Sequence, residues 1–246
     1  LRRGRDGKLD GPVNKRVYAT FESYRALFEW LVVEARKRGY GTAKFSTVLF
    51  VADGAKVLWT LQQEFFPDAE VCLDWYHAVE KLWMAGKAVC RGTRRKRRAL
   101  EAWVGEQKRR LRRGQLAQVL GELRRALQAT APTGPGNKFR REVLESVLGY
   151  FEDNAERMRY ARLRRMDLDI SSGVVEGAVR HLVGVRLDAS GMRWGRDRSE
   201  AVLLLRCVLI NGLWNDFERY LALRRLHMAP QPVPTRTHDA VVNKAA

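Results

Sequence analysis

The sequence predicts an α/β protein with a large all-α part. Two observations predict it. Two short apolar runs, each closed by an aspartate, are joined by one helical stretch, and the segment 75–165 that follows has helical periodicity and no strand signal.

The elements follow in order. Residues 1–15 are basic, with Gly4, Gly7, Gly11 and Pro12, and read as an extended lead-in. Arg16–Phe21 carries β-branched and aromatic residues and is expected as a short strand. Leu27, Phe28, Leu31 and Val32 repeat at helical spacing, giving a helix over 22–38 with Gly39 as its stop. Thr47–Ala52 is a continuous apolar run ending at Asp53-Gly54, the pattern of a strand buried on both faces. Ala55–Phe66 is helical and is closed by Pro67; Glu70–Leu73 is a second short strand ending at Asp74. From Trp75 to Arg165, Leu82, Trp83, Trp103, Leu116, Leu120, Leu123, Val143, Leu144, Leu148 and Tyr150 recur at helical intervals, interrupted at Thr133–Gly136. Helices are expected over 174–187 and 199–225, the latter with Ser199 as N-cap, and the proline-rich tail from Pro230 is expected to be disordered. This divides the chain into a core formed by 16–77 and 166–225, a helical insertion over 78–165, and a tail over 226–246.

Composition narrows the function. The 246 residues carry 46 Lys and Arg against 28 Asp and Glu, a net charge of +18, which predicts attraction to a polyanion, above all nucleic acid. A hydrophobic content of 46% with seven Trp excludes a disordered basic tail. No apolar run approaches the ~18 residues of a membrane helix, and residues 1–8 lack the apolar stretch of a signal peptide. Cys72, Cys90 and Cys207 form no C-x-x-C pair, which argues against a disulfide framework or zinc finger and for a reducing cytoplasm.

Chemistry is expected first at the strand ends. Asp53 and Asp74 each follow a buried run, at the edge of an open α/β sheet where sites form. Neighbouring carboxylates repel and are commonly reconciled by a divalent cation such as Mg²⁺ or Mn²⁺. The plainer reading is that each aspartate caps the helix after it. The pair, in a chain of charge +18, favours a metal-dependent nucleic-acid enzyme. Glu176, in Ser171–Ala178, sits near the start of a helix, with Arg180 and His181 one turn on and Arg186 beyond. Arg180 shares its face and can contact a phosphate beside a bound metal; the plainer reading is a first-turn Glu that stabilises the helix dipole and pairs with Arg180.

These residues also carry a resemblance. Asp53-Gly-Ala with Trp59, Phe66-Pro67 with Ala69, and Leu73-Asp-Trp-Tyr-His77 occur in the same order as Tyr150-Phe151, Met158-Arg-Tyr160, Ile170-Ser-Ser-Gly-Val-Val-Glu176 and Ser190-Gly-Met-Arg-Trp194. The series, spread over about residues 15–220, resembles bacterial insertion-sequence transposases related to the Mutator group. The resemblance implies a DDE transposase with an RNase H-like core, in which two Asp and one Glu hold two Mg²⁺ or Mn²⁺ ions for phosphodiester hydrolysis and strand transfer. It implies double-stranded DNA as partner, both transposon ends and target, and a homo-oligomer on DNA in the bacterial cytoplasm, at the nucleoid.

Residue by residue, Asp53 resembles the family's second catalytic Asp and Glu176 its Glu, both metal ligands. Asp74 and His77 match its Asp-x-x-His motif. Reading Asp74 as the remaining catalytic Asp conflicts with the RNase H-like topology, which opens with three antiparallel strands and carries the first Asp on the first of them. Those strands and that Asp are expected upstream of Leu1. Ser171 stands where the family more usually has Gly. His77 has three open readings: it orients a carboxylate, touches DNA, or is a satisfied half-buried histidine. Expected DNA contacts are Arg94, Arg95, Arg97 and Arg98 in one basic run, the run Lys108–Arg113, then Arg180, Arg186, Arg193 and Trp194, with Trp75 a further candidate. A truncated DNA-binding fragment without catalysis and an RNase H-like nuclease or resolvase are the competing functions.

Overall fold

The computed structural model describes residues 14–42, 47–90, 96–184, 187 and 193–228. It is mostly helical with one small parallel sheet, an α/β arrangement with a large all-α part. Helix α1 (Tyr24–Lys37) precedes strand β1 (Leu49–Ala52), helix α2 (Lys56–Phe65) and strand β2 (Glu70–Leu73). Helices α3 (Trp75–Val89), α4 (Lys96–Arg112), α5 (Leu116–Gln128), α6 (Asn137–Asp153) and α7 (Tyr160–Arg165) follow. Then come α8 (Gly173–Val179), running into a π-helical turn at Arg180–Gly184, α9 (Arg196–Ile210) and α10 (Trp214–Met228).

Local chemistry sets the boundaries. The Ser23 hydroxyl accepts from the Ala26 N–H and caps α1. Gly39 ends that helix with φ 97°, a left-handed conformation open to glycine, while Tyr40 N–H bonds back to Ala35 O. The two apolar runs pair in parallel, Leu49 opposite Glu70 through Ala52 opposite Leu73, as the strand–helix–strand pattern predicts. One face of the pair meets α1 and α2 through Phe28, Val32, Leu61 and Phe66. The principal core, Leu82, Val104, Leu111, Val119, Leu123, Leu144, Val147 and Phe151, is supplied by α3 to α6 and packs on the strands. Cys72 and Leu73 are fully buried, whereas β1 is half-buried along its whole length, not covered on both faces as expected. Among the described residues β1 pairs with β2 alone, and a cleft of about 480 Å³ runs beside it, lined in part by Trp30, Leu31, Val48, Leu49 and Phe50.

Three further sequence expectations need correction. Residues 16–21 form no strand. The Asn211 side-chain amide donates to Val17 O and accepts from Val17 N–H, both at 2.9 Å, and the Glu200 carboxylate accepts from Thr20 Oγ1 and Phe21 N–H, both at 2.6 Å. Side chains at the end and start of α9 thus supply the pairing that a neighbouring strand would give. Ser199 is not an N-cap: α9 starts at Arg196 after Gly195, and the Ser199 hydroxyl donates back to Gly195 O. The expected single helix over 199–225 is two helices, because Gly212 takes φ 69° between them. The tail from Pro230 and residues 1–13 lie outside the described residues. No described helix is long and apolar enough to cross a membrane.

Tyr160 begins α7, is fully buried, and its hydroxyl has no hydrogen-bond partner among the described residues. Its ring packs edge-on to Trp75, with centroids 5.2 Å apart. A buried unsatisfied hydroxyl costs roughly 1–3 kcal/mol, while the ring packing survives its removal. Tyr160→Phe is therefore expected to leave the thermal midpoint unchanged or raise it; a fall of several degrees would show that the hydroxyl is bonded in solution.

Candidate active site

The parallel register puts Asp53 and Asp74 side by side, each one residue past the end of its strand, with Asp74 N–H bonded to Ala52 O at 2.8 Å. The two carboxylates have different environments. Asp74 is 1% exposed and caps α3. Its Oδ2 accepts from the His77 N–H at 3.1 Å and from His77 Nδ1 at 2.6 Å, and its Oδ1 accepts from the Ser172 N–H at 2.6 Å. Burial raises the carboxyl pKa, but the bonds from Ser172 and His77 outweigh it and hold Asp74 below the ordinary carboxylate value. The capping reading holds for this aspartate.

Asp53 is half-buried and caps no helix: Ala55 occupies the N-cap of α2. The Asp53 Oδ1 accepts from the Ala55 N–H at 2.8 Å, which closes a turn two residues on, and no bond to its Oδ2 occurs among the described residues.

The segment before Glu176 is tied to the same edge. Besides the Ser172 bond, Trp75 N–H donates to Ile170 O at 3.0 Å, and Asp169 Oδ1 accepts from the Ser171 N–H and hydroxyl. A Cβ at Gly173 would lie 3.2 Å from the Tyr76 ring, so the first turn of α8 abuts the first turn of α3. Ser171 in place of a glycine is accommodated here, its hydroxyl held by Asp169. Glu176 itself is exposed, and among the described residues its carboxylate has no hydrogen bond or ion pair, including none with Arg180. Among the described residues no group of three or more His, Cys, Asp or Glu is gathered to hold a metal ion.

Sequence reasoning missed Tyr150 as a site residue. It sits on α6, and a Cβ at Gly54 would fall 2.3 Å from its ring. The Tyr150 hydroxyl lies at the same place, 2.9 Å from where that Cβ would stand. Burial, then the Asp53 charge, pushes the phenol up to about 12, so at neutral pH it stays a protonated donor beside Asp53. Its sequence signals were helical spacing, which reads equally well as core, and the Tyr150-Phe151 pair in the resemblance, which gave it no role. Cys72 is no nucleophile: burial and the charges of Asp74 and Asp169 push its thiol up to about 12.

The remaining candidates divide. Arg97 and Arg98 are exposed, with Arg97 paired to Glu101 at 3.0 Å. Arg180 and Arg193 are exposed and Trp194 is 42% exposed. Arg94, Arg95 and Arg186 lie outside the described residues. Trp75 is buried, covered by the Arg112 guanidinium 4.8 Å above its ring, and presents no face for base stacking. His77 is half-exposed and bonded through Nδ1 to Asp74. Comparison with family models, curated proteins and solved structures returned no match.

Because Asp74's pKa is lowered on folding, it contributes stability that is present above its unfolded value and is lost as pH falls through its folded value. Asp74→Asn is expected to cost roughly 2–3 kcal/mol at pH 7 through the lost charged cap. The gap to wild type should close as pH falls below about 4. Denaturant unfolding from pH 7 to pH 2.5 measures this; a gap constant across that range would contradict it.

Proposed function

We propose that the chain is part of the catalytic region of a DDE-type DNA transposase of the Mutator-related insertion-sequence group, with an RNase H-like core interrupted by the α3–α7 helices. One observation carries the reading. Asp53 and Asp74 end adjacent parallel strands, and the segment leading to the Glu176 helix is bonded to that same edge. The charge of +18 suits a DNA substrate.

The donor set fits Mg²⁺ or Mn²⁺ in part. The Asp53 Oδ2 and the Glu176 carboxylate offer hard oxygens without protein partners among the described residues, whereas both oxygens of Asp74 are engaged. Asp53 and Glu176 would hold the ion. When bound, such ions lower the pKa of water and stabilise charge on the phosphoryl oxygens. The chain's own residues do the rest. The Ala55 N–H fixes the Asp53 carboxylate, Tyr150 keeps a donor beside it, and Asp74 with His77 fixes the edge from which α8 departs. Arg97, Arg98, Arg180, Arg193 and Trp194 are exposed and suited to DNA phosphates and sugars. Arg94, Arg95 and Arg186, which lie outside the described residues, belong to the proposed contacts by sequence alone. A DNA-bound homo-oligomer acting on transposon ends and target remains part of the proposal.

The engagement of Asp74 favours one second reading: these 246 residues hold one ligand too few for a two-ion site and bind DNA without cutting it. Strand transfer of a labelled transposon-end duplex with Mg²⁺ or Mn²⁺ tests both. The 246-residue chain is expected to bind the duplex without cleaving it. A chain extended upstream to include the family's first Asp is expected to cleave and join, and to fall to background on Asp53→Ala or Glu176→Ala. If the 246-residue chain cleaves, and Asp74→Asn abolishes this as fully as Asp53→Asn, Asp74 is a ligand and the assignment fails.

A further inference from the structure

Away from the carboxylates, Arg112 and Arg113 at the end of α4 and Arg164 and Arg165 at the end of α7 surround an open cleft of about 420 Å³, completed by Ala161. All four arginines are exposed, and none has a carboxylate partner among the described residues. Their neighbours differ. Arg109 and Arg110 pair with Glu106, Arg110 also with Glu122, Arg159 with Glu156, and Arg162 with Glu70. Acids are therefore close at hand along both helices, yet none faces the cleft. A helix C-terminus favours one cation through its dipole, but does not account for two helices aiming theirs into one cleft. Like charges gathered this way repel, and an anion held between them relieves the repulsion.

We propose that this cleft grips the phosphodiester backbone of duplex DNA. Guanidinium groups bind phosphate through paired N–H donors. The Arg112 guanidinium lies over the Trp75 ring, 4.8 Å from its centroid. The lining is four arginines and one alanine, and guanidinium groups bound to phosphate oxygens carry no sequence information, so a backbone grip is independent of sequence. An open cleft of this kind gives a small phosphorylated metabolite nothing for its non-phosphate part. It does suit one stretch of a continuous polyanion. Trp75 follows Asp74 directly, so the cleft adjoins the carboxylate edge through a single residue. The choice of DNA rests on the transposase reading; the phosphate grip rests on the arginines.

The test is binding of the 246-residue protein to a fluorescein-labelled 30-bp duplex of arbitrary sequence across a KCl series. Arg113→Gln/Arg164→Gln/Arg165→Gln spares Arg112, which is packed on Trp75. The slope of log Kobs against log[KCl] should become shallower by about 2–3, at ~0.9 per lost contact, equally on a second, unrelated duplex. The corresponding triple Lys variant should keep most of the slope. A control with equal charge change, Arg36→Gln/Arg124→Gln/Arg219→Gln, should alter it by less than about 1. In the wild type, duplex DNA should slow phenylglyoxal modification of Arg113, Arg164 and Arg165, a readout that needs no variant to fold. No duplex binding, an unchanged slope in a folded triple variant, no protection, or single-stranded DNA bound about tenfold tighter than duplex would each overturn the proposal. DNA binding with the expected slope change, in a protein that never cleaves in any length tested, would leave the grip standing and remove the transposase reading alone.

Discussion

The arrangement depends on how one buried carboxylate is satisfied. Asp74 is 1% exposed, and a carboxylate so placed is tolerated only when its oxygens are hydrogen-bonded. Its partners come from the first turn of α3 and from Ser172, 98 positions along the chain. One side chain therefore joins the end of β2, the start of α3 and the point where the chain returns after α7. The Trp75 to Ile170 backbone bond repeats the closure one residue further on. Closing so long a loop costs little more than closing one half as long, because the entropy grows only with the logarithm of length. Two or three hydrogen bonds, backed by the helical core, suffice to hold its ends together.

The helices that follow β2 also shape the candidate site. Tyr150 from α6 rests on Gly54, so the turn after β1 takes its shape from a residue nearly a hundred positions away. Arg157, beyond the end of α6, lies 4.5 Å over the buried Trp59 of α2. A shift of α6 would move the groups that flank Asp53, which couples the helical part to the carboxylate edge through direct packing. Gly54 is required here for space: any Cβ would overlap the Tyr150 ring.

What was legible in the sequence follows from the range of each signal. Leu49–Ala52 and Glu70–Leu73 were readable as paired strands because an apolar run, a closing aspartate and one intervening helix are all local patterns. Asp74 was readable as a cap for the same reason. Arg16–Phe21 looked like a strand because its residues suit one, but its partners are the Asn211 and Glu200 side chains, which no local pattern reveals. Tyr150 carried helical spacing, shared by every core residue of α6, and a place in the Tyr150-Phe151 pair, neither of which shows that it lies against Gly54. Trp75 seemed a base-stacking candidate from its position beside Asp74; its burial under Arg112 depends on where α4 ends in space. Arg112 and Arg165 are 53 positions apart, and only the packing of α4 on α7 makes them neighbours.

Asp53 and Asp74 occupy equivalent positions on adjacent strands, and two such carboxylates, both ionised, repel. The chain treats them asymmetrically. Asp74 receives three bonds from N–H groups, and these stabilise its charge internally and hold its pKa down. Asp53 receives one, from a turn, and keeps an oxygen without a partner among the described residues. The cost of a second charge at this edge is thus met by the backbone of the Ser172 turn and by His77. The position after β1 is left with the less engaged carboxylate. The same division recurs among the arginines, where those on α4 and α7 that face acids are paired with them, and Arg112, Arg113, Arg164 and Arg165 have no carboxylate partner among the described residues. In both cases the groups free for an external partner are those whose like-charged neighbours have been satisfied within the chain. A structural ion pair is recognised by its bonds, and a candidate binding group by bonds it lacks while its neighbours have them.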